Sequence, residues 1–88
     1  MAKKVIKFFA DWCGPCKVYA PSFEKVKQEL QSEQIEFVEI NVEQDTEGLA
    51  GEYKVRGIPH TVLLEEGIEL RSKSGRLAVE ELKEFILN

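Results

Sequence analysis

A short apolar strand that leads directly into a cysteine-containing helix start constrains this chain more than any other feature. Val5 to Ala10 is rich in β-branched and aromatic residues, which is typical of a central parallel strand. Further on, apolar side chains recur at helical spacing, at Tyr19, Phe23, Val26 and Leu30. The segment Trp12-Cys13-Gly14-Pro15-Cys16 lies between these two patterns. The sequence therefore predicts that both cysteines lie where a strand is followed by a helix.

Two thiols three residues apart at a helix start form a dithiol/disulfide couple. A cysteine reacts as its thiolate, and the free N–H groups and positive dipole end of a helix start lower the pKa of a thiol there. We therefore expect Cys13 to be the nucleophile. Cys16, one helical turn later on the same side, is expected to attack the mixed disulfide that Cys13 makes with a substrate. The pattern indicates redox chemistry.

Cysteines at this spacing also occur in zinc sites, which need two further Cys or His ligands. The chain has only two cysteines, and His60 is its one histidine. Because too few ligands remain to complete a zinc site, we expect no metal, and no cofactor beyond a redox-active disulfide between Cys13 and Cys16.

Two sequence blocks carry a resemblance to the thioredoxin family. Phe9 to Lys17 is similar almost letter for letter to the family's active-site segment, and Tyr53 to Pro59 matches its Tyr-x-Val-x-Gly-Ile-Pro stretch. Glu65-Glu66-Gly67 and Gly75 fall where the family has its hairpin turn and groove glycine. The resemblance covers nearly the whole chain. Only a few residues precede the first strand, where full-length thioredoxins carry an extra strand and helix.

The resemblance implies an α/β thioredoxin fold in a single domain over residues 1–88. Its four-stranded mixed sheet would have the order 2-1-3-4, flanked by about three helices, without the family's usual N-terminal strand and helix. Ile35 to Val42 is typical of a second strand parallel to the first, and Asp45 and Thr46 can cap a short helix that ends near Tyr53. The remaining predicted elements are a hairpin of Thr61 to Leu64 and Ile68 to Ser72, and a C-terminal amphipathic helix marked by Val79, Leu82, Phe85 and Ile86.

Composition and charge exclude several other classes of protein. With 88 residues, 43% of them hydrophobic, the chain can build one core and has no room for a second domain. The net charge of -4 comes from scattered acidic residues, which argues against nucleic-acid binding, and no apolar run is long enough for a membrane span. Lys7 and Asp11 interrupt the apolar start, so we expect it to be mature protein rather than a signal peptide. One close cysteine pair suits a reducing cytoplasm, and we expect a monomer.

The resemblance also implies a substrate groove beside Cys13. Pro59 corresponds to the family's cis-proline, which packs against the cysteine pair and leaves the backbone of Ile58 free to bond an extended substrate. The apolar rim of this groove would consist of Trp12, Gly57, Ile58 and Gly75. The alternatives are a trans Pro59 that only starts a strand, since about one X-Pro bond in twenty is cis, and a Trp12 that packs in the core. A large indole beside a reactive loop more often stays partly exposed.

Residues between and near the cysteines are expected to tune the couple. Proline is tolerated in a first helical turn, and the missing N–H of Pro15 removes one donor that could stabilise a thiolate. By resemblance, the Gly14-Pro15 pair implies a reducing couple, near about -270 mV. His60 stands where the family usually has threonine. It could titrate near Cys13 and tune it, or it could be an ordinary solvent-facing or packed side chain.

The largest departure from the family lies six residues before the first cysteine, where thioredoxins carry a buried Asp and this chain has Lys7. The family's accompanying Lys corresponds here to Glu39, so the two positions look exchanged. If they pair, they can share a proton, and Glu39 can accept, directly or through water, the proton that leaves Cys16. The alternative is that Lys7 extends to solvent while Glu39, together with Glu36, only shields an edge strand.

Three functions are compatible with these residues. The first is a reductase of protein disulfides, recharged by a dithiol reductase such as a thioredoxin reductase. The second is a glutathione-dependent, glutaredoxin-like enzyme, which the short length favours, although Ser74-Gly75-Arg76-Leu77 lacks the paired-glycine and aspartate segment usual in glutaredoxins. The third is a non-enzymatic binding subunit, which the intact Trp12 to Cys16 segment and Ile58-Pro59 disfavour.

Overall fold

The computed structural model describes residues 2–88, and these form four strands, three α-helices and one turn of 3-10 helix. In chain order the elements are β1 (Lys3–Phe9), α1 (Gly14–Glu29), β2 (Ile35–Asn41), the 3-10 helix (Val42–Gln44), α2 (Leu49–Glu52), β3 (His60–Glu65), β4 (Ile68–Ser74) and α3 (Val79–Leu87). None of the helices in this range has both the length and the apolarity needed to cross a membrane.

The sheet has the order β2-β1-β3-β4, as the resemblance implies. β1 runs parallel to β2 and antiparallel to β3, and β3 and β4 form an antiparallel hairpin. The predicted fold is therefore confirmed. The prediction for the second strand was one residue too long, because Val42 begins the 3-10 helix. Asn41 ends the strand by accepting the N–H of Glu43 with its side-chain oxygen at 2.9 Å.

The central strand β1 separates two apolar clusters because its side chains alternate between the two faces of the sheet. Val5 packs with residues of α1 and α3, whereas Ile6 and Phe8 pack on the other face against α2 and its flanking loops. Four consecutive residues of β1 are buried, which is typical of a strand covered by helices on both faces. The loop that carries Cys13 leaves this strand at its carboxyl end.

The β3–β4 hairpin turns at Glu66 and Gly67, which have φ angles of 52° and 81°. Two successive left-handed residues form the turn type that matches the twist of paired strands, and glycine adopts it without steric cost. The two strand ends at the other side of the hairpin, His60 and Ser74, pair in register. The hairpin therefore brings the start of β3 and the end of β4 together near the cysteines.

Two cations fasten α3 to the sheet. Lys3 donates from Nζ to the carbonyl oxygen of Ile86 at 2.8 Å, and Arg71 donates from Nη1 to that of Phe85 at 2.6 Å. Helix C-termini have carbonyls without helical partners, and positive charge there is favourable. An ion pair between Lys83 and Glu29 joins α3 to α1. The helix that covers one face of the sheet is thus held at its carboxyl end by strands β1 and β4.

Candidate active site

Cys13 is the N-cap residue of α1, as the sequence predicts. After β1 ends, the chain turns through Asp11 and Trp12, and the N–H of Cys13 donates to the carbonyl of Ala10 at 3.2 Å. The Sγ of Cys13 accepts the backbone N–H of Cys16 at 3.1 Å. Cys13 and Cys16 are joined in a disulfide, with their Cα atoms 5.2 Å apart. The sulfur that faces the helix start is therefore the one that its N–H groups and dipole stabilise as a thiolate.

Exposure does not distinguish the two cysteines, since Cys13 is 4% and Cys16 3% accessible. Both pack in a small cluster with Ala10, against the half-buried side chains of Val42 and Ile58. Their positions in the helix do distinguish them. Cys13 precedes the first turn and its sulfur receives an N–H bond, whereas Cys16 lies inside α1.

Two further loops meet the cysteine loop at one end of the sheet. The Ile58–Pro59 peptide bond is cis, and the carbonyl oxygen of Ile58 lies 3.8 Å from the Sγ of Cys13. Gly75 donates its N–H to the carbonyl of Pro59 at 2.8 Å, with a φ of 93° that favours glycine. The structure therefore brings Cys13, Ile58, Pro59 and Gly75 together at one end of the sheet, where the resemblance implies a groove, and the role of this groove in substrate binding stays a prediction.

Trp12 forms an exposed wall of this groove rather than part of the core, because 66% of its surface is accessible. Its indole N–H donates to a carboxylate oxygen of Glu43 at 2.9 Å, which fixes the ring beside a cavity of about 450 Å³. The cavity is lined by Trp12, Val42, Ala50, Val55, Arg56, Gly57 and Ile58.

Glu43 is a residue of this site that the sequence did not predict. A signal existed, because the carboxyl ends of neighbouring parallel strands lie at the same edge of a sheet. Trp12 follows β1 and Glu43 follows β2, so the two side chains come close although 31 positions separate them. The side chain of Asn41 adds a second, longer bond across this gap, to Asp11 at 3.4 Å.

Lys7 and Glu39 form an ion pair on the sheet face that α1 covers. Their Cα atoms are register partners in β1 and β2, and Nζ lies 3.2 Å from Oε1. The Lys7 side chain is 4% exposed and that of Glu39 is 39% exposed. Of the two sequence alternatives, the pairing is the one observed, and Lys7 does not extend to solvent. Glu36 is an exposed partner of Lys4 at 4.0 Å.

Aromatic rings surround the rest of the Lys7 ammonium. Its Nζ lies 4.8 Å from the ring centre of Phe23, 5.4 Å from that of Phe9 and 5.9 Å from that of Tyr19. Such contacts attract a desolvated cation through the negative faces of the rings. Tyr19 is on the helix that carries Cys16, one turn later, so the buried charge lies under the helix of the resolving cysteine.

His60 is a buried side chain at the start of β3. Its Nδ1 lies 2.9 Å from Oγ of Ser74, and its ring centre lies 6.4 Å from that of Phe8. Burial lowers the pKa of His60 below its ordinary value, and the negative charge of Glu69 opposes this shift in part. The structure thus contains the packed alternative rather than a solvent-facing side chain, and a direct effect on Cys13 stays a prediction.

Within residues 2–88 no group of three or more His, Cys, Asp or Glu side chains could hold a metal ion. The groups with redox chemistry in this site are the two sulfurs.

Comparison with known proteins agrees with this geometry. Residues 1–88 match the family model described as Thioredoxin. The thioredoxin of Mycoplasmoides gallisepticum is 37% identical over 84 residues, covering 96% of this chain and 81% of that protein. The thioredoxin of Bacillus subtilis is 37% identical over 79 residues, with 90% and 74% covered. Among solved structures, Fasciola hepatica thioredoxin superposes with a TM-score of 0.85 at 35% identity and covers 97% of this chain and 78% of its own.

Proposed function

The chain belongs to the thioredoxin family and is a dithiol–disulfide oxidoreductase, and we propose that it works as a reductase of protein disulfides through Cys13 and Cys16. The observation that carries this proposal is the position of Cys13, whose sulfur accepts an N–H at the start of α1 beside the backbone of Ile58. Members of the family act on disulfide substrates and are reduced by thioredoxin reductase.

In the proposed cycle the reduced enzyme transfers two electrons to its substrate. The thiolate of Cys13 attacks one substrate sulfur, which breaks the substrate disulfide, forms a mixed disulfide and releases the other substrate sulfur as a thiolate that takes up a proton. The thiolate of Cys16 then attacks the Cys13 sulfur, which closes the intramolecular disulfide and releases the second substrate thiol. A dithiol reductase returns the pair to the reduced state.

The groove residues are proposed to hold an extended segment of the substrate beside Cys13. Trp12 and Ile58 supply apolar surface, while Gly57 and Gly75 carry no side chain that would block the approach of a substrate backbone. A Cβ added at either glycine would meet no atom within 4 Å, so the space above them is open. Proteins with a disulfide in an extended, accessible segment fit this surface.

We also propose that the ion pair of Lys7 and Glu39 assists the second step. Cys16 must lose a proton while bound substrate covers the site, and burial opposes a thiolate. Lys7 supplies positive charge beneath α1, and Glu39 is its partner at 3.2 Å. Because Glu39 is partly exposed, it can pass a proton from Cys16, directly or through water, to bulk solvent.

Gly14 and Pro15, between the two cysteines, are proposed to set the reduction potential of the pair. Pro15 follows Gly14 in the first turn of α1 and has no N–H to donate to a thiolate. Fewer donors to the thiolates favour the oxidised form of the protein, which makes the dithiol a better reductant. We propose a reduction potential near about -270 mV, a value typical of thioredoxins.

One close pair of cysteines suits a reducing compartment, so we propose that the protein acts in the cytoplasm. We propose that it acts there as a monomer.

The test compares two electron donors at neutral pH. Insulin reduction should proceed with NADPH and a thioredoxin reductase, and should be slow with glutathione and glutathione reductase. Cys16→Ser should trap substrate as a stable mixed disulfide on Cys13, whereas the matched variant Cys13→Ser should trap none. Turnover with glutathione alone would replace the proposal with the glutaredoxin-like function, and trapping by Cys13→Ser would reverse the roles of the two cysteines.

A further inference from the structure

His60 is a buried titratable side chain that the proposed cycle does not use. It is 7% exposed and directly follows Pro59 of the groove. Its Nδ1 faces Oγ of Ser74 at 2.9 Å, while its Nε2 is buried and has no hydrogen-bond partner within residues 2–88. A buried polar nitrogen without a partner is unusual enough to need a physical reason.

The surroundings of the His60 ring favour one of its two neutral tautomers. If Nε2 carried the proton, its N–H would be a buried donor without an acceptor, which costs free energy. With the proton on Nδ1 instead, the ring donates to Oγ of Ser74 and leaves only a lone pair at Nε2. On this face of the sheet the His60 ring packs against the ring of Phe8. The ring centre of Phe8 in turn lies 6.3 Å from that of Tyr53.

The bond from His60 to Ser74 lies next to a groove contact. His60 and Ser74 are register partners at the ends of β3 and β4. The residue before His60 is Pro59, and its carbonyl accepts the N–H of Gly75, the residue after Ser74. One side-chain bond and one backbone bond therefore join the same two chain segments, and these segments carry the Ile58 and Gly75 sides of the substrate groove.

We propose that His60 is a positioning residue that holds Gly75 in place for substrate docking, and that it does so only while its imidazole is neutral. Protonation would add both a charge and an N–H at Nε2, where the structure offers no acceptor. The ring would then leave its buried position or pull away from Ser74, and the Gly75 segment would lose its side-chain tie. The inference rests on the groove of the proposed function and concerns docking, not the cysteine chemistry.

The charged and titratable groups near His60 are consistent with a neutral imidazole at neutral pH. β4 contributes Glu69, whose carboxylate favours protonation but acts against a larger effect of burial. The end of α2 contributes Tyr53, whose pKa is raised by burial, so it stays neutral at these pH values. β1 contributes the uncharged ring of Phe8, and its neighbour Lys7 lies on the opposite face under α1.

The experiment is a single-turnover titration of the pre-reduced enzyme against a quenched fluorescent peptide disulfide, at pH 7.5 and pH 5.5. It yields the half-saturating peptide concentration and the maximal rate for wild type and for His60→Gln, which keeps an amide donor for Ser74 but does not titrate. A direct effect of His60 on the cysteine chemistry would appear in the maximal rate, whereas an effect on docking appears in the half-saturating concentration.

We expect the half-saturating concentration of wild type, relative to that of His60→Gln, to rise on going to pH 5.5. An ordinary imidazole, with a pKa near about 6.5, would give a rise of about tenfold, and this is the upper limit because burial lowers the pKa of His60. The ratio of maximal rates should stay constant. Ser74→Ala is the matched variant: it retains the imidazole but removes its acceptor, so docking should be weak at both pH values.

A second measurement keeps the inference testable if a variant folds poorly. In wild type, the amide exchange of Gly75, corrected for intrinsic pH dependence, should accelerate in acid together with the NMR titration of the His60 ring. A docking ratio that does not change with pH, or Gly75 exchange that does not follow the ring titration, would overturn the inference. If wild type fails to reduce insulin at neutral pH, the proposed function fails instead.

Discussion

Removal of the carboxylate at Glu39 should reveal how much the buried ammonium of Lys7 depends on its partner. Loss of one member of a fully buried pair costs about 3–5 kcal/mol, whereas an exposed pair contributes about 0–1 kcal/mol. Lys7 is fully covered but Glu39 is 39% exposed, so water can replace part of its contribution. We therefore expect Glu39→Gln to lower the free energy of unfolding by about 1–3 kcal/mol.

Lys7→Met should behave differently, because it removes the cost of burying a charge together with the ion pair. The new side chain would remain among the rings of Phe9, Tyr19 and Phe23. Replacement of a buried charge by an apolar side chain of similar size is often neutral or stabilising, so the expected change is within about 1 kcal/mol. In the Lys7→Met background, Glu39→Gln should then cost almost nothing.

Urea unfolding of the four oxidised proteins gives this double-mutant cycle, and thermal unfolding gives a second reading at about 4–8 °C per kcal/mol. Glu36→Gln is the control, since its pair with Lys4 is exposed and 4.0 Å long, and it should change stability by less than about 1 kcal/mol. The reasoning is refuted if Glu39→Gln costs as much in the Lys7→Met background as it does alone.

The same cycle tests the catalytic part of the proposal. A preformed mixed disulfide on Cys13 should be resolved at least about tenfold more slowly in Glu39→Gln at pH 7, because positioned proton transfer commonly contributes more than that. The deficit should shrink as pH rises and hydroxide takes the proton. A stability loss without a change in resolution rate would make the pair purely structural.

Two further predictions concern the surrounding scaffold. Tyr19→Phe removes the buried hydroxyl that shares a 2.8 Å hydrogen bond with Oγ1 of Thr61, and it should cost about 1–2 kcal/mol in urea unfolding, part of which Thr61→Val in the same protein recovers. The Asp45 carboxylate accepts the N–H groups of Leu49 and Ala50, and these bonds hold the pKa of Asp45 below its usual 3.8. The stabilisation by the Asp45 carboxylate is therefore fully present above the unfolded pKa of 3.8 and is lost as pH falls through the lower pKa of the folded protein. The urea midpoints of wild type and Asp45→Asn should converge in acid. Midpoints that stay equally far apart would contradict this.

Local sequence patterns were enough to predict the chemistry-bearing part of the fold. The apolar run before Cys13 and the helical spacing after Cys16 depend on neighbours in the chain, and the structure has β1 and α1 where those patterns lie. The order of the strands came from the resemblance to a family. The cis bond before Pro59 was also expected from the resemblance and is present.

Features that depend on contacts between distant residues were harder to predict. The partner of Lys7 depends on the register of β1 against β2, so the sequence left two alternatives for its side chain. The bond from Trp12 to Glu43 was not predicted, because it joins two loops that meet only when the strands before them are paired. The environment of His60 stayed open because its neighbours Phe8 and Ser74 lie on other strands.

The position of β1 in the chain has a consequence for synthesis on the ribosome. β1 is an interior strand of the sheet, yet it precedes both of its partners in the chain, and its pairing with β3 needs residues as far along as Glu65. Until that segment has emerged, the apolar side chains of β1 have only part of their cover. The two cysteines, three positions apart, are both translated much earlier and need no distant contact to meet. A nascent chain therefore carries its complete thiol pair before the groove that selects a substrate exists.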